Sequence, residues 1–311
     1  MNNLTLNVKI LMLVIIGLLS LSTLIFFLIK KNNPSQNYTE LWLRIRSWWV
    51  MIAILFLAIS SSAKIAIVFF AFISFLALKE YLSLIPTRRS DRRVLFWAYL
   101  AIPIQYYLVS IHWYIMFLVF IPVYMFLLLP FRMVLIGDTK GFLHSLGTIY
   151  WGLMITVFAL SHLAYLLVLD PLKNPYGGGA GLVLYLIFLT QFNDIAQYIS
   201  GKLFGKHKII PLVSPNKTFE GFIGGMIATV ILTILISPYL TPLNFGQSIL
   251  VGFIIAGFGF VGDVTISAIK RDFGVKDTSN FIPGHGGILD RLDSLTYTAP
   301  IFFHVLSYFY Y

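Results

Sequence analysis

The chain has 311 residues, of which 59% are hydrophobic and 11% charged, against about 25% charged in an ordinary soluble domain. One water-soluble core of this size cannot hide that much apolar surface, which excludes a soluble enzyme, a disordered chain and a secreted disulfide scaffold. There are no cysteines, so thiol catalysis and Cys-ligated zinc are excluded, and the net charge of +10 is assigned to cytoplasmic loops rather than to nucleic acid.

About 20 apolar residues cross a bilayer as a helix. Ten such segments are predicted: 10–29, 47–61, 65–82, 94–110, 112–129, 148–169, 180–200, 219–240, 247–268 and 295–311. The fold class is therefore an all-α polytopic integral membrane protein. The first apolar run, Ile10 to Ile29, is too long for a signal peptide and no A-x-A-like site follows it, so it reads as a retained anchor. Lys30–Thr39 reads as a polar linker. Leu41 to Trp49, with three tryptophans, Arg44 and Arg46, either lies at the membrane interface or begins the next span. Residues 47–61 and 65–82 flank Ser60-Ser61-Ser62-Ala63-Lys64 and are expected to form a hairpin, because 47–82 is too long for one ordinary span.

The loops test this count. With ten spans, every lysine and arginine except Lys9, Lys64 and Lys173 falls on one side of the membrane. That side includes Lys79, Arg88, Arg89, Arg92 and Arg93 in one loop. The positive-inside rule makes it the cytoplasm and puts both termini outside. The expected organisation is 1–40 as anchor and linker, 41–170 as transmembrane scaffold, and 171–311 as the catalytic transmembrane region.

Of the acidic residues, Glu40, Glu80, Asp91, Asp138 and Asp170 lie in loops or at span ends, where solvation is expected. The other seven, Asp194, Glu220, Asp263, Asp272, Asp277, Asp290 and Asp293, all fall near cytoplasmic ends of the last spans. Three clusters contain them. In the first, Asp194, Gln197, Tyr198 and Gly201 share a helical face, and an acid that close to the membrane core normally faces a cavity or a cation.

The second cluster runs from Ser214 to Gly225. Ser or Thr before a helix is an N-cap pattern, and Pro215 fits a first helical position. With Lys217 beside it, such a helix N-terminus suits an anion. Plain capping, with Glu220 satisfying first-turn N–H groups, is the alternative.

The third cluster, Gly262 to Ser294, is the densest. Asp263, Ser267 and Lys270 or Arg271 step along one helical face, and Asp290 and Asp293 share a face of the next helix. Gly284, Gly286 and Gly287 permit a tight turn and offer N–H groups to phosphate. Carboxylates without cysteine suit a hard cation such as Mg²⁺, and the neighbouring basic residues suit a polyphosphate. The combination points to metal-assisted chemistry on a nucleotide. His285 reads equally as a base, a phosphate donor or a structural residue.

The third cluster resembles the signature of phosphatidate cytidylyltransferases, S-x-x-K-R-x4-K-D-x-[small]-x2-[apolar]-P-x-H-G-G-x-x-D-R-x-D. Every fixed position is met between Ser267 and Asp293, through Lys270, Arg271, Lys276, Asp277, Pro283, His285, Gly286, Gly287, Asp290 and Arg291. Ser214 to Gly225 matches the family's S-P-x-K-T-x-E-G-x-x-G-G. Its D-x-x-A-Y-x-x-G-[KR]-x-x-G element is met at Asp194, Tyr198, Gly201, Lys202 and Gly205, with Gln197 where Ala is usual. Gly262-Asp263 matches the family's Gly-Asp, but Thr265 or Ile266 replaces a common following acid. These departures suit a divergent branch. The likeness is strong over 190–295 and loose over 41–190, and the first span is an addition to the family's nine-helix core.

The resemblance implies transfer of CMP from CTP to phosphatidic acid, giving CDP-diacylglycerol and pyrophosphate. It implies Asp263 and Asp290 as metal ligands, with Asp263, Asp290, Lys270, Arg271 and His285 as the catalytic set and His285 the weakest as a base. Lys217, Lys270, Arg271 and Arg291 would contact phosphates. Gly286 and Gly287 would present amides to substrate. Ser214, Thr218, Glu220, Asp194, Asp277 and Asp293 complete the expected substrate-binding set. The cofactor would be Mg²⁺, with a second, monovalent cation as an open addition. The expected setting is the plasma (inner) membrane among membrane lipids, with the site on the cytoplasmic side and a homodimer as the assembly. One rival is a CTP-dependent polyprenol kinase, which would release CDP rather than pyrophosphate. A cation-coupled transporter is disfavoured, because there is no internal repeat and the acids gather at one membrane face.

Overall fold

The computed structural model describes residues 4–33, 37–86 and 91–311. Arg88 and Arg89 of the expected basic loop, and Pro34-Ser35-Gln36 of the linker, lie outside them. The described residues form helices α1 (Leu6–Asn32), α2 (Thr39–Ser61), α3 (Ala63–Leu84) and α4 (Arg92–Ser110). Then come α5 (Tyr114–Val134), α6 (Phe142–Leu166), α7 (Gly178–Phe204), α8 (Phe219–Leu240) and α9 (Phe245–Asp272). The short α10 (Leu289–Leu292) and α11 (Leu295–Tyr310) end the chain. Each of the ten expected spans falls mainly on one of these helices, although 112–129 begins before α5 and 148–169 runs past the end of α6.

Eight of the described helices are long and apolar enough to cross a membrane, and the chain is an integral membrane protein. α4 and α11 are outside that set. Gln105 and three tyrosines dilute the hydropathy of α4, and α11 has 16 residues. α2 runs unbroken from Thr39, so the tryptophan-rich stretch begins a span instead of forming a separate interfacial helix. At Ser62 the backbone turns extended, and its hydroxyl caps Ile65 N at 3.3 Å, which starts α3 as the second arm of the hairpin. α5 and α6 each carry a π-helical stretch, Phe120–Met125 and Met154–Phe158. Pro122 lies in the first and has no N–H to give to the helical ladder.

The packing follows from the solvent. α8 turns Ile227, Ile231 and Leu235 outward, more than half exposed, while Thr229, Thr233 and Ser237 are fully buried. Water would favour the reverse. In lipid, hydroxyls turn inward because only the protein offers them partners. Thr229 donates to Asn193 Oδ1 at 3.2 Å, and Ser237 pairs with the hydroxyl of Tyr185 at 2.6 Å.

The last four long helices form the densest unit, with α7 on α8, α8 on α9, and α11 on α9 and α6. Glycines let them close. A Cβ at Gly225 would meet the side chain of Gln197 and stand 2.9 Å from its backbone nitrogen. A Cβ at Gly262 would press on the backbone at Asp293 and Ser294. Such small-residue contacts are how helices associate where hydrocarbon gives no hydrophobic drive. They also set Asp194 on α7, the start of α8 and Asp263 on α9 at one end of the bundle. Gly225→Leu is expected to separate α7 from α8 and cost ~1–3 kcal/mol by overpacking. Gly257→Ala, with no atom within 4 Å of its added Cβ, should leave stability intact. Thermal unfolding of both variants in detergent checks this.

Candidate active site

Thr218, and not Ser214, caps α8. Its hydroxyl accepts from Gly221 N at 3.2 Å, while Ser214 and Pro215 stand in the preceding turn, so Pro215 is not a first helical residue. Residues 206–219 fold back on the helix start, with Ile209 N donating to Lys217 O and Phe219 N to His207 O. Glu220 fastens this loop. It accepts from the backbone N–H of Lys206 and His207 at 2.9 and 3.2 Å and holds His207 Nδ1 at 2.6 Å. Its carboxylate, expected to face substrate, is engaged with the chain itself.

The loop delivers Lys217 inward. Its ammonium lies 2.5 Å from Asp263 Oδ2 and 3.5 Å from Gln197 Oε1, and it faces the ring of Phe260 at 5.8 Å. Burial opposes its charge, but the carboxylates of Asp263 and Asp194 outweigh burial and hold its pKa above the ordinary lysine range. Gln197, standing where the resembled family has Ala, thus reaches the central lysine. Asp263 also accepts from Ser267 at 3.3 Å, as the helical spacing predicts.

A second group of contacts forms around Asp290. Its Oδ1 takes Lys270 Nζ at 2.7 Å. Its Oδ2 takes Thr278 N at 2.8 Å, the Thr278 hydroxyl at 2.9 Å and Gly287 N at 2.9 Å. Burial raises the pKa of Asp290, and these donors overcome that and hold it below the usual carboxylate range. The amide of Gly287, expected to face substrate, donates to Asp290 as the chain is folded. Gly286 has φ +82°, and a Cβ there would stand 2.7 Å from Asp290 Oδ2 and 3.3 Å from Asp277 Cβ. Glycine is required by both the left-handed backbone and the space.

Glu80 is the residue that sequence reasoning missed. Expected to be solvated, it is 8% exposed and lies under the signature loop. Ile288 N and Leu289 N donate to it at 3.0 and 2.9 Å, and the Ser279 hydroxyl at 2.7 Å. The Thr278 hydroxyl lies between Glu80 Oε2 at 3.2 Å and Asp290 Oδ2 at 2.9 Å. A carboxylate can accept all of these, so it serves here as a hub for backbone donors. Asp91 is a second correction: it is 3% exposed and accepts from Ser145 at 3.1 Å. The start of α2 closes the same loop. Ser47 donates to Pro283 O at 2.8 Å, and Trp48 meets the His285 ring edge to face at 5.8 Å.

α10 is four residues long, so Asp290 and Asp293 do not share a helix face directed at one partner. Asp293 joins Asp263 and Asp194 instead. Burial first, then the repulsion of those two carboxylates, raises its pKa well above the usual range. The Ser294 hydroxyl bridges both oxygens of Asp194 at 3.1 Å. The two expected metal ligands, Asp263 and Asp290, are thus paired with different lysines. Among the described residues no three His, Asp or Glu side chains stand close enough to hold a metal ion as the chain is folded.

Arg271 points outward, binding Val213 O at 3.3 Å and Val275 O at 3.2 Å, and so ties the loop before α8 to the end of α9. Asp277 is exposed beside Gly286. Arg291 turns inward, and its Nε is buried without a hydrogen-bond partner among the described residues, as are His285 Nδ1, Gln197 Nε2 and Asn193 Nδ2. Arg291 also lines a cavity of about 1080 Å³ that runs from the site into the bundle. Arg46, Ser47 and Gln191 join it at the site end, and apolar side chains line nearly all the rest.

The arrangement combines two Lys–Asp pairs, a third and fourth carboxylate, and an open guanidinium at the mouth of an apolar chamber. Comparison with known proteins places it. The model of the cytidylyltransferase family matches residues 42–309. The chain belongs to the cytidylyltransferase family. It is accordingly an enzyme of the nucleotidyltransferase class. It is 49% identical over 292 residues to the uncharacterized protein YnbB of Escherichia coli (strain K12), covering 94% of this chain and 96% of that one. It is 45% identical over 124 residues to a phosphatidate cytidylyltransferase of Staphylococcus haemolyticus, covering 40% of this chain and 48% of the relative. One from Haemophilus influenzae is 44% identical over 143 residues, 44% of this chain and 48% of that relative. The chain thus matches about half the length of these two named cytidylyltransferases.

Two outcomes follow from this geometry. Glu80→Ala leaves two backbone N–H groups and a serine hydroxyl without their acceptor, and should cost at least ~2 kcal/mol, seen as a lower unfolding temperature in detergent. Burial first, then the charge of Arg291, holds the pKa of His285 at about 4, below the usual ~6.5. The unfolded chain then binds this proton at a higher pH than the folded chain does. The stabilisation is present above pH ~6.5 and is lost as pH falls towards 4. Unfolding temperatures at pH 7.5, 5.5 and 4.5 should fall in that order, and His285→Phe should flatten part of the fall.

Proposed function

We propose that this chain transfers CMP from CTP to phosphatidic acid, giving CDP-diacylglycerol and pyrophosphate. One observation carries the reading: a cluster of lysines and carboxylates suited to polyphosphate stands beside an apolar chamber, with Arg291 lining the chamber and within electrostatic reach of Asp194 and Asp293, and Arg46 in the same lining. A water-soluble acceptor would have no use for the chamber. A lipid without a phosphate would have none for the arginines.

In this reading a lipid phosphate oxygen attacks the α-phosphorus of CTP in line. The bond from that phosphorus to the α,β-bridging oxygen breaks, and pyrophosphate leaves with the electron pair. A phosphate monoester is already anionic near neutral pH, so no base is needed, and His285 positions the loop through Trp48. Arg291 holds the lipid phosphate. Lys217 neutralises charge on the nucleotide phosphates, fixed by Asp263 and Gln197. Lys270 and Asp290 keep the signature loop in shape, so Asp290 acts as its anchor. Asp194, Asp263 and Asp293 do not stand close enough to hold a metal ion by themselves as the chain is folded, but they offer oxygen donors only, and a hard cation bound together with the nucleotide phosphates would relieve their mutual repulsion. Mg²⁺ held there would stabilise the negative charge that builds up on the phosphates.

The positive-inside count supports ten crossings, including α4 and α11, with the site facing the cytoplasm of the plasma (inner) membrane, where CTP is found. The test is a product assay in mixed micelles with α-phosphate-labelled CTP, phosphatidic acid and Mg²⁺. Label should enter the organic phase with equimolar pyrophosphate, and Asp290→Asn should reduce it by at least ~100-fold, about 2.7 kcal/mol of barrier. Release of CDP with the label left in water would instead identify a lipid kinase.

A further inference from the structure

α1 lies before the segment matched by the family model, which begins at residue 42. Yet it packs on α2, α7 and α8 and forms one wall of the apolar chamber. It is fastened at its two ends. At the start, Asn7 Nδ2 donates to Tyr239 O at 2.8 Å, and Val8 is fully buried against Gly181. Towards the other end, Trp49 donates to the Thr23 hydroxyl at 3.1 Å, and Phe26 stacks on Trp42 with ring centroids 5.3 Å apart.

Between these fastenings Leu11, Met12 and Leu19 are buried, and a neighbouring face of α1 runs along the chamber. Ile10, Val14 and Leu18 are 48 to 50% exposed and line the chamber at four-residue spacing, one helical face. From Asn7 to Ser22, both in the lining, the wall rises ~22 Å. That exceeds half of a ~30 Å hydrocarbon core. Other helices contribute Phe72, Ile187 and Ile236 to the lining, and the arginines among its described residues, Arg46 and Arg291, lie at the site end. A space with cations at one end and hydrocarbon surface over the remaining depth is complementary to a lipid phosphate with long chains. Short chains would leave its far end unfilled, and burial of apolar surface is what such a wall contributes.

We propose that α1 is a specificity wall, enclosing the hydrocarbon chains of the lipid phosphate acceptor and making the enzyme favour long-chain over short-chain acceptors. This rests on the acceptor proposed above. The experiment compares turnover of dioleoyl and dihexanoyl phosphatidic acid by the full chain in mixed micelles. Wild-type protein should favour the dioleoyl lipid at least tenfold in kcat/KM. Val14→Trp and Leu18→Trp should lower kcat/KM for dioleoyl lipid at least tenfold and change that for dihexanoyl lipid less than twofold. Leu13→Trp, at a position 67% exposed and outside the chamber lining, should alter neither. Equal losses on both lipids, or none on either, would overturn the proposal.

A second measurement does not need turnover. Phosphatidic acid with a diazirine at the chain terminus should label the Asn7–Val14 segment on irradiation. Adducts absent from α1 would overturn the wall. Labelling of α1 in a protein that transfers no CMP to either lipid would uphold the wall and refute the acceptor reading's chemistry.

Discussion

The candidate site depends on two buried carboxylates that organise a loop. Between α9 and α11 the chain has no long helix, only turns and the short α10. Buried backbone donors in such irregular chain need partners within the protein. Asp290 and Glu80 supply them, accepting from Thr278, Ser279, Gly287, Ile288 and Leu289. Lys270 balances one of the two charges. Once this loop is fixed, Arg291 faces the chamber and Asp293 faces Asp194 and Asp263.

The bundle around the loop solves a different problem with the same chemistry. Its outer surfaces are apolar, and its hydroxyls and amides face one another inside, as with Thr229 and Asn193. Close approach comes from glycine. Gly225 and Gly262 bring α8 and α9 against their neighbours so closely that the charged ends of α7, the loop before α8, and α9 meet at one place. Lys217 then reaches Asp263 across two elements, so a contact between backbones determines where an ion pair forms.

Much of this was legible in the sequence. Spans were legible because long apolar runs report the membrane directly, and the Ser60–Ser62 break gave the hairpin. The motif residues were legible from their density beside span ends. Partnership among them was not. Asp263 and Asp290 look equivalent in a motif, yet one pairs with Lys217 and the other with Lys270, because α10 ends after four residues and turns Asp293, not Asp290, towards the bundle. Glu80 was illegible for a plain reason: a single acid near the end of an apolar helix looks like a solvated helix end. Its partners lie about 200 residues away along the chain. Nor did the residue types of Glu220 and Gly287 reveal the local contacts they make, with Lys206 and His207 in one case and Asp290 in the other.

The position of Glu80 bears on modularity. All three motif clusters lie beyond residue 190, and a fragment starting at residue 171 would contain every one of them. It would lack the α3 carboxylate on which Ile288, Leu289 and Ser279 converge. The signature loop therefore does not belong to a self-sufficient catalytic half. Exchanging N-terminal halves between relatives would transplant part of the active-site architecture along with the scaffold.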